Sequence, residues 1–220
     1  MSIHAPMQNA IIFGDSYSTF EGYIPEGYAA YYCPKYREGH HSSDVTRVEE
    51  TWWHLLATEW KLNLVLNDSW SGSTLCYTGY EGDCSKTSSF IYRLEKLASE
   101  GFFERNAIDT VFVFGCTNDH WAHAPLGEEM TEGQTHEDLF CARPAIGYFL
   151  GRIRALLPQA NVVVLINTGL SPEITEALKN AAEHFDCDPL LLSDIDKEDG
   201  HPTIKGMAQI KDQIKALLNA

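Results

Sequence analysis

A serine and a histidine near opposite ends of the chain have the residue types and surroundings for nucleophilic catalysis. Ser16 follows the apolar run of residues 9–13 in a Gly14-Asp15-Ser16 triplet, and His201 precedes the last predicted helix. A serine hydroxyl is a weak nucleophile at neutral pH and needs a general base within hydrogen-bond reach. Histidine suits that role because its pKa lies near neutrality. The pair predicts acyl transfer through a serine nucleophile.

A tetrahedral intermediate formed at Ser16 would need hydrogen-bond donors for its oxyanion. Two loop positions could supply them. Gly72 has a backbone N–H that no side chain shields, and the Asn118 amide carries two N–H donors. The backbone N–H of Ser16 would be the third donor. We therefore expect an oxyanion hole formed by Ser16, Gly72 and Asn118.

Five apolar runs predict five buried strands, with helical patterns between most of them. The predicted strands are residues 9–13, 62–66, 109–114, 161–166 and 189–192, and the predicted helices are 51–60, 88–98, 145–157, one starting at Ser171-Pro172 and one after Thr203. This alternation is typical of a parallel sheet covered on both faces. With no repeat or linker in the sequence, we expect one domain over residues 1–220. Residues from about 20 to 50 lack a period and predict a loop insertion.

Ligands bind to such a sheet at the carboxyl ends of its strands. Polar residues follow three of the predicted strands, at 14–16, 67–74 and 115–119, and a fourth polar segment at 200–203 precedes the last helix. We expect these four segments to converge on one edge of the sheet.

The four segments resemble the four sequence blocks of the SGNH (GDSL-type) hydrolases, a family of esterases and lipases. The first block resembles residues 14–18, the glycine of the second resembles Gly72, the third (G-x-x-N-D) resembles residues 115–119, and the fourth resembles residues 200–203. The blocks occur in the family's order and span nearly the whole chain. The resemblance implies a flavodoxin-like, three-layer α/β/α sandwich with a five-stranded parallel sheet. It also implies Ser16 as nucleophile, His201 as base, and Gly72 and Asn118 as oxyanion donors.

The resemblance leaves the acidic member of a catalytic triad open. The family usually carries an aspartate three residues before the histidine, and here that residue is Glu198. A carboxylate on the far imidazole nitrogen fixes the tautomer and stabilises the imidazolium. Glu198 keeps the spacing, whereas Asp196 keeps the residue type across a longer loop. We favour Glu198, with Asp196 as the alternative.

Composition restricts the partners of the protein. The formal net charge is −15 and the pI is about 4.9, and such a surface repels nucleic acid and anionic membranes. We therefore expect a neutral small-molecule or glycan ester as partner, and the oligomeric state is left open. His120 and His123 lack a matching ligand cluster, so neither a metal nor a cofactor is predicted. Residues 1–10 show no signal-peptide pattern, which predicts a cytoplasmic protein unless a leader has been removed.

The expected substrate is a short acyl ester, such as an acetyl group on a carbohydrate. The long loop is rich in Tyr and Gly rather than in large aliphatic residues, and a long acyl chain needs an apolar groove, because each buried methylene gains only about 0.8 kcal/mol. Tyr and Trp rings can instead pack on sugars while their polar edges bond hydroxyls. We expect Asp15, Trp70 and Trp121 to contact the substrate. A lipase- or thioesterase-type acyl hydrolase and a non-catalytic sandwich that binds a sugar are the alternatives.

Overall fold

Five parallel strands form the central sheet of the protein, whose computed structural model describes residues 9–34 and 43–219. The strands are β1 (Asn9–Gly14), β2 (Asn63–Ser69), β3 (Thr110–Phe114), β4 (Asn161–Ile166) and β5 (Asp188–Leu191). Their spatial order is β2-β1-β3-β4-β5, and every neighbouring pair is parallel. This is the flavodoxin-like order, in which ligands bind where the order reverses beside β1. The predicted fold class is confirmed.

Helices cover both faces of this sheet. The α-helices of the described residues are α1 (Trp52–Trp60), α2 (Phe90–Ser99), α3 (Phe102–Arg105), α4 (Thr117–Trp121), α5 (Ala142–Leu156), α6 (Pro172–His184) and α7 (Ile204–Leu218), and 3-10 turns lie at Ser16–Ser18, Val48–Glu50 and Asp138–Phe140. None of the helices in this part of the chain is both long and apolar enough to cross a membrane.

Two short antiparallel hairpins lie outside the central sheet. In the first, Thr78–Gly79 pairs with Gly82–Asp83, and we call it the Tyr80 hairpin after the residue at its tip. In the second, Lys197–Glu198 pairs with His201–Pro202, and we call it the His201 hairpin. Each strand has only two residues, so these hairpins depend on contacts with the rest of the fold.

The two faces of the sheet bury separate apolar clusters. Phe13 packs with residues of α2, α5 and α6 on one face, and Ile12 packs with residues of α1 and α7 on the other. Neighbouring residues of a strand point to opposite faces, so β1 contributes to both clusters. The result is three layers, with the sheet between two layers of helices.

The predicted insertion at about 20–50 is described in part. Residues 35–42 lie outside the described residues. Tyr31 and Tyr32 in the described part are buried, and the backbone N–H of Tyr31 donates to the Thr19 hydroxyl at 2.9 Å. This segment therefore packs against the turn that follows β1.

A buried arginine joins the ends of the first two strands. Arg93 of α2 is fully buried, and its Nη1 lies 2.5 Å from Oδ2 of Asp68, near the end of β2. The guanidinium also donates to the main-chain carbonyls of Asp68, of Gly14 at 3.2 Å and of Ser88 at 3.0 Å. A single side chain thus ties the carboxyl ends of β1 and β2 to α2.

We expect Arg93→Met to lower the free energy of unfolding by about 3–5 kcal/mol, because it leaves the Asp68 carboxylate buried without its partner. Urea denaturation followed by circular dichroism measures this loss. The matched control is Arg152→Met, which removes a half-exposed ion pair with Glu95 (N–O distance 2.8 Å) and should cost less than about 1 kcal/mol. Equal losses in the two variants would contradict the central role of Arg93.

Candidate active site

Ser16 lies at the carboxyl end of β1, at the start of a 3-10 turn. The Asp15 side chain caps this turn by accepting the backbone N–H of Tyr17 at 3.0 Å. Gly14 cannot be replaced without a shift, because a Cβ there would lie 2.3 Å from Oγ of Ser69. The Gly-Asp-Ser triplet therefore lets β1 end close to β2 and places Ser16 at the edge of the sheet.

The structure brings Ser16 and His201 together. Oγ of Ser16 lies 2.9 Å from Nε2 of His201, although 185 residues separate them in the chain. The other ring nitrogen, Nδ1, lies 3.1 Å from the main-chain carbonyl oxygen of Asp199. A carbonyl oxygen only accepts, so this contact favours the proton on Nδ1 and leaves Nε2 to accept from the serine hydroxyl. This is the tautomer that a general base needs.

Aromatic rings enclose the His201 imidazole. The Tyr31 ring stacks on it, with ring centroids 3.6 Å apart and planes 6° apart. Trp121 lies edge-on, with its centroid 5.8 Å from that of the imidazole, and is 39% exposed. Trp121, one of the predicted substrate contacts, therefore lies beside His201 with part of its surface open to solvent.

The His201 hairpin is tied to the sheet by polar side chains. The hydroxyls of Tyr17 and Tyr32 donate to the main-chain carbonyls on either side of His201. The Lys197 ammonium donates to the side-chain oxygen of Asn167, just after β4, at 2.9 Å. Burial lowers the pKa of Lys197. These contacts fix the His201 hairpin to the turn after β1, to the long loop and to the end of β4.

The predicted oxyanion donors lie on the two loops beside Ser16. Gly72 follows β2 with a φ of +80°, a conformation that glycine adopts readily. Asn118 lies in the first turn of α4 and is buried. Its Nδ2 donates to the Ser73 carbonyl at 2.9 Å, and its Oδ1 accepts from the Tyr80 hydroxyl at 3.0 Å. None of the described residues accepts the second N–H of this amide, which is therefore available to a ligand.

Asp119 fixes the loop that carries Gly72. Its fully buried carboxylate accepts the backbone N–H groups of Leu75 at 2.8 Å and of Cys76 at 3.0 Å. Burial raises the pKa of this carboxyl, and the two N–H donors oppose the rise. The two neighbouring residues thus differ in what they do. Asn118 has an amide N–H without a partner among the described residues, and Asp119 holds the loop that carries Gly72.

The structure corrects the expectation for Asp15. We expected a substrate contact, but the side chain is completely buried, and its Oδ2 has no hydrogen-bond partner within the described residues. Burial raises the pKa of Asp15 to about 7, and the negative charge of Asp119 adds to the rise. The carboxyl supports the turn beneath Ser16 instead of facing a ligand.

Trp70 remains a predicted substrate contact. It is half-buried, and its ring lies against that of Tyr28 from the long loop, with centroids 4.2 Å apart. The next residue along, Ser71, donates its backbone N–H to the Ala29 carbonyl at 2.9 Å. The long loop therefore borders the segment that leads to Gly72.

The two candidate acids have different surroundings. The Asp196 carboxylate accepts from the Thr203 hydroxyl and lies 3.6 Å from Nζ of Lys205, and these contacts hold its pKa below the usual range. Glu198 is exposed and its side chain makes no hydrogen bond or ion pair to the described residues, but it lies directly opposite His201 in the hairpin. Directly opposed residues share a face of a hairpin. The assignment of the acid to Glu198 therefore stays a prediction.

Two contacts of the site were not predicted from the sequence. Tyr31 stacks on the base, and Tyr80 bonds to Asn118. Both lie outside the four blocks, Tyr31 in a loop without a period and Tyr80 at the tip of a hairpin. The richness of the long loop in tyrosine was a signal for the first, but it could not show which ring reaches the histidine.

The fold is a three-layer α/β/α sandwich, and the polar site lies at the carboxyl edge of its sheet. Residues 8–218 match the family model described as GDSL-like Lipase/Acylhydrolase. The chain belongs to the GDSL-like lipase/acylhydrolase family. The resemblance found in the sequence is thereby confirmed.

Solved structures agree with this assignment. A protein of Bacteroides ovatus ATCC 8483 assigned to the GDSL-like lipases is 40% identical, with a TM-score of 0.88 over 98% of this chain and 99% of that one. Another, from Bacteroides uniformis ATCC 8492, is 38% identical, with a TM-score of 0.88 over 97% and 96% of the two chains. The acetyl xylan esterase Est2A of Butyrivibrio proteoclasticus shares the fold at 16% identity, with a TM-score of 0.60 over 100% of this chain and 65% of that one. A comparison with curated proteins finds no match.

We expect Glu198→Gln to lower kcat by about tenfold or more, because His201 loses charge support for its imidazolium. The loss should stay below the roughly 10⁴-fold seen for a fully buried triad acid, since Glu198 is exposed. Steady-state hydrolysis of p-nitrophenyl acetate measures the effect, with Asp196→Asn as the matched comparison. A larger loss in Asp196→Asn would move the role to Asp196. Full activity in both variants would leave the Asp199 carbonyl as the group that orients the base.

Proposed function

We propose that the protein is a serine esterase that hydrolyses short acyl esters of a carbohydrate or another small molecule through an acyl-enzyme. The observation that carries the proposal is the 2.9 Å contact between Oγ of Ser16 and Nε2 of His201. Hydrogen-bonded contact between nucleophile and base is the requirement for an activated serine. The orientation of the imidazole by the Asp199 carbonyl supports the same role.

In the first half of the reaction, His201 accepts the hydroxyl proton while Oγ of Ser16 attacks the ester carbonyl. The oxyanion that forms accepts hydrogen bonds from the backbone N–H groups of Ser16 and Gly72 and from the amide of Asn118. When the carbon–oxygen bond to the alcohol breaks, the imidazolium returns its proton to the leaving oxygen. The products of this half are the free alcohol and an acyl group on Ser16.

In the second half, a water molecule takes the place of the alcohol. Nε2 of His201 removes its proton as the water oxygen attacks the acyl carbonyl, and the same three donors hold the second oxyanion. Collapse of this intermediate returns the proton to Oγ of Ser16 and releases the carboxylic acid. The base is neutral again at the end of each cycle.

The surroundings of the site support a polar, uncharged substrate. Tyr80 and Trp121, which contact Asn118 and His201 respectively, are 53% and 39% exposed. The exposed surfaces of such rings can pack on the apolar faces of sugars. The net charge of −15 disfavours anionic esters such as phospholipids. Est2A, which has this fold, is an acetyl xylan esterase, but at 16% identity the likeness concerns the fold alone.

We expect Ser16→Ala to abolish both the hydrolysis of p-nitrophenyl acetate and labelling by a fluorophosphonate, because each reaction needs an activated hydroxyl. Asn118→Ala should lower kcat by roughly 10² to 10³, the usual effect of losing one oxyanion donor. Ser193→Ala, at an exposed serine outside the site, is the control and should keep full activity. Turnover by Ser16→Ala protein at the wild-type rate would refute the mechanism. Sugar binding without turnover in the wild type would support the non-catalytic alternative.

We expect kcat/KM to be highest for the shortest acyl groups when p-nitrophenyl esters from acetate to palmitate are compared. A long chain gains about 0.8 kcal/mol per methylene only where an apolar groove receives it. Acetate release from acetylated xylose or xylan tests the carbohydrate part of the proposal. A maximum at about eight carbons or longer would favour a lipase- or thioesterase-type acyl hydrolase instead.

A further inference from the structure

Tyr80 is the one exposed aromatic residue of the described chain whose hydroxyl bonds directly to a predicted oxyanion donor. The phenolic oxygen lies 3.0 Å from Oδ1 of Asn118, while 53% of the residue remains exposed. An exposed tyrosine has no need of such a bond for its own solvation, since water would serve equally well. The position of the hydroxyl therefore points to an effect on Asn118.

The hairpin that carries Tyr80 is held firmly at its base. Thr78 donates its hydroxyl to the Phe140 carbonyl at 2.8 Å, and the backbone N–H of Tyr77 donates to the Leu139 carbonyl at 2.8 Å. The residue before Tyr77 donates its backbone N–H to the carboxylate of Asp119, the neighbour of Asn118. The hairpin is thus anchored to the 3-10 turn at Asp138–Phe140 and to α4, and these anchors place the tip relative to Asn118.

Both ends of the Asn118 side-chain amide are hydrogen-bonded. The Ser73 carbonyl, which can only accept, determines which end of the amide carries the nitrogen. The Tyr80 hydroxyl then donates to the oxygen at the other end. Hydrogen bonds in a chain polarise one another, so a donor to the amide oxygen strengthens the remaining N–H as a donor. Rotation of the amide about its last bond would break both contacts.

We propose that Tyr80 is a positioning residue of the oxyanion hole, whose hydroxyl orients and polarises the Asn118 amide toward the developing oxyanion. This inference rests on the proposed function, in which Asn118 is an oxyanion donor. Tyr80 itself contacts no reacting atom in this role. Its effect should appear in kcat, because the oxyanion exists only during reaction and not in the bound substrate.

The protonation state of Tyr80 suits a donor. Partial burial raises the pKa of its phenol, and the negative charges of Asp15 and Asp119 raise it further. The hydroxyl therefore keeps its proton throughout the neutral range and at moderately alkaline pH. Its hydrogen bond to Asn118 is therefore kept over that range.

The test begins with Tyr80→Phe, which removes the hydroxyl and keeps the ring. We expect kcat for p-nitrophenyl acetate to fall about 3- to 10-fold, the range of a single neutral hydrogen bond, with little change in KM. Tyr23→Phe is the matched control, because Tyr23 is also 53% exposed but bonds no residue of the site. Its kcat should equal that of the wild type. Thermal unfolding of both variants checks that the fold is kept.

A double-mutant cycle then separates this role from a direct contact with substrate. In an Asn118→Ala background the Tyr80 hydroxyl has no amide to hold, so adding Tyr80→Phe should change kcat by less than about twofold. An equal loss in both backgrounds would overturn the inference, because Tyr80 would then act without Asn118. A rise in KM at unchanged kcat would also overturn it, since it would show a contact with the bound substrate.

The failure of this inference differs from a failure of the proposed function. If Ser16→Ala is inactive and Asn118→Ala is slowed while the cycle is additive, only the role of Tyr80 is refuted. If Asn118→Ala keeps the wild-type kcat, the oxyanion assignment itself fails and the inference fails with it.

Discussion

The buried guanidinium of Arg93 links the end of β1, the end of β2 and the loop at Ser73 to helix α2. It donates to main-chain carbonyls at the ends of β1 and β2 and pairs with the Asp68 carboxylate, and all of these groups are buried. It also reaches Oγ of Ser73, whose carbonyl holds the Asn118 amide. A buried carbonyl or carboxylate without a hydrogen-bond partner would lower the stability of the fold. The segments that carry Ser16, Gly72 and Asn118 are therefore all linked to one fully buried cation.

The central strands could be predicted because they are apolar on both faces of the sheet. β1, β3 and β4 end within one residue of the predicted bounds. β2 extends to Ser69, three residues past its predicted end, because its last residues are polar and yet buried. The Asn67 amide donates to the Ser18 carbonyl and accepts from the Ser69 hydroxyl, which lets polar residues continue a strand. Helix α4 was missed because it is short and begins after Cys116 in a left-handed conformation, without a capping side chain.

The positions of the site residues could be predicted only for those that lie at, or next to, the end of a predicted strand or helix. Ser16 and His201 were proposed from polar segments at the sheet edge, and the structure brings their side chains together. Tyr31 and Tyr80 could not be found in this way, because a loop and a two-residue hairpin leave no periodic signal. The acidic partner of His201 is the most difficult residue to predict, because several carboxylates lie within five residues of the histidine in the chain. Only the conformations of their side chains distinguish them. Asp15 was misjudged because proximity to a nucleophile in sequence says nothing about which way a side chain faces.

The long separation of Ser16 and His201 in the sequence has a consequence for biosynthesis. Ser16 leaves the ribosome early, while His201 follows 185 residues later, after all five strands of the sheet have been synthesised. Contacts between such distant residues close large loops and form late in folding. A nascent chain therefore lacks the contact between Ser16 and His201 until all five strands of the sheet are present. The two side chains therefore meet only in a molecule whose C-terminal segment has joined the fold.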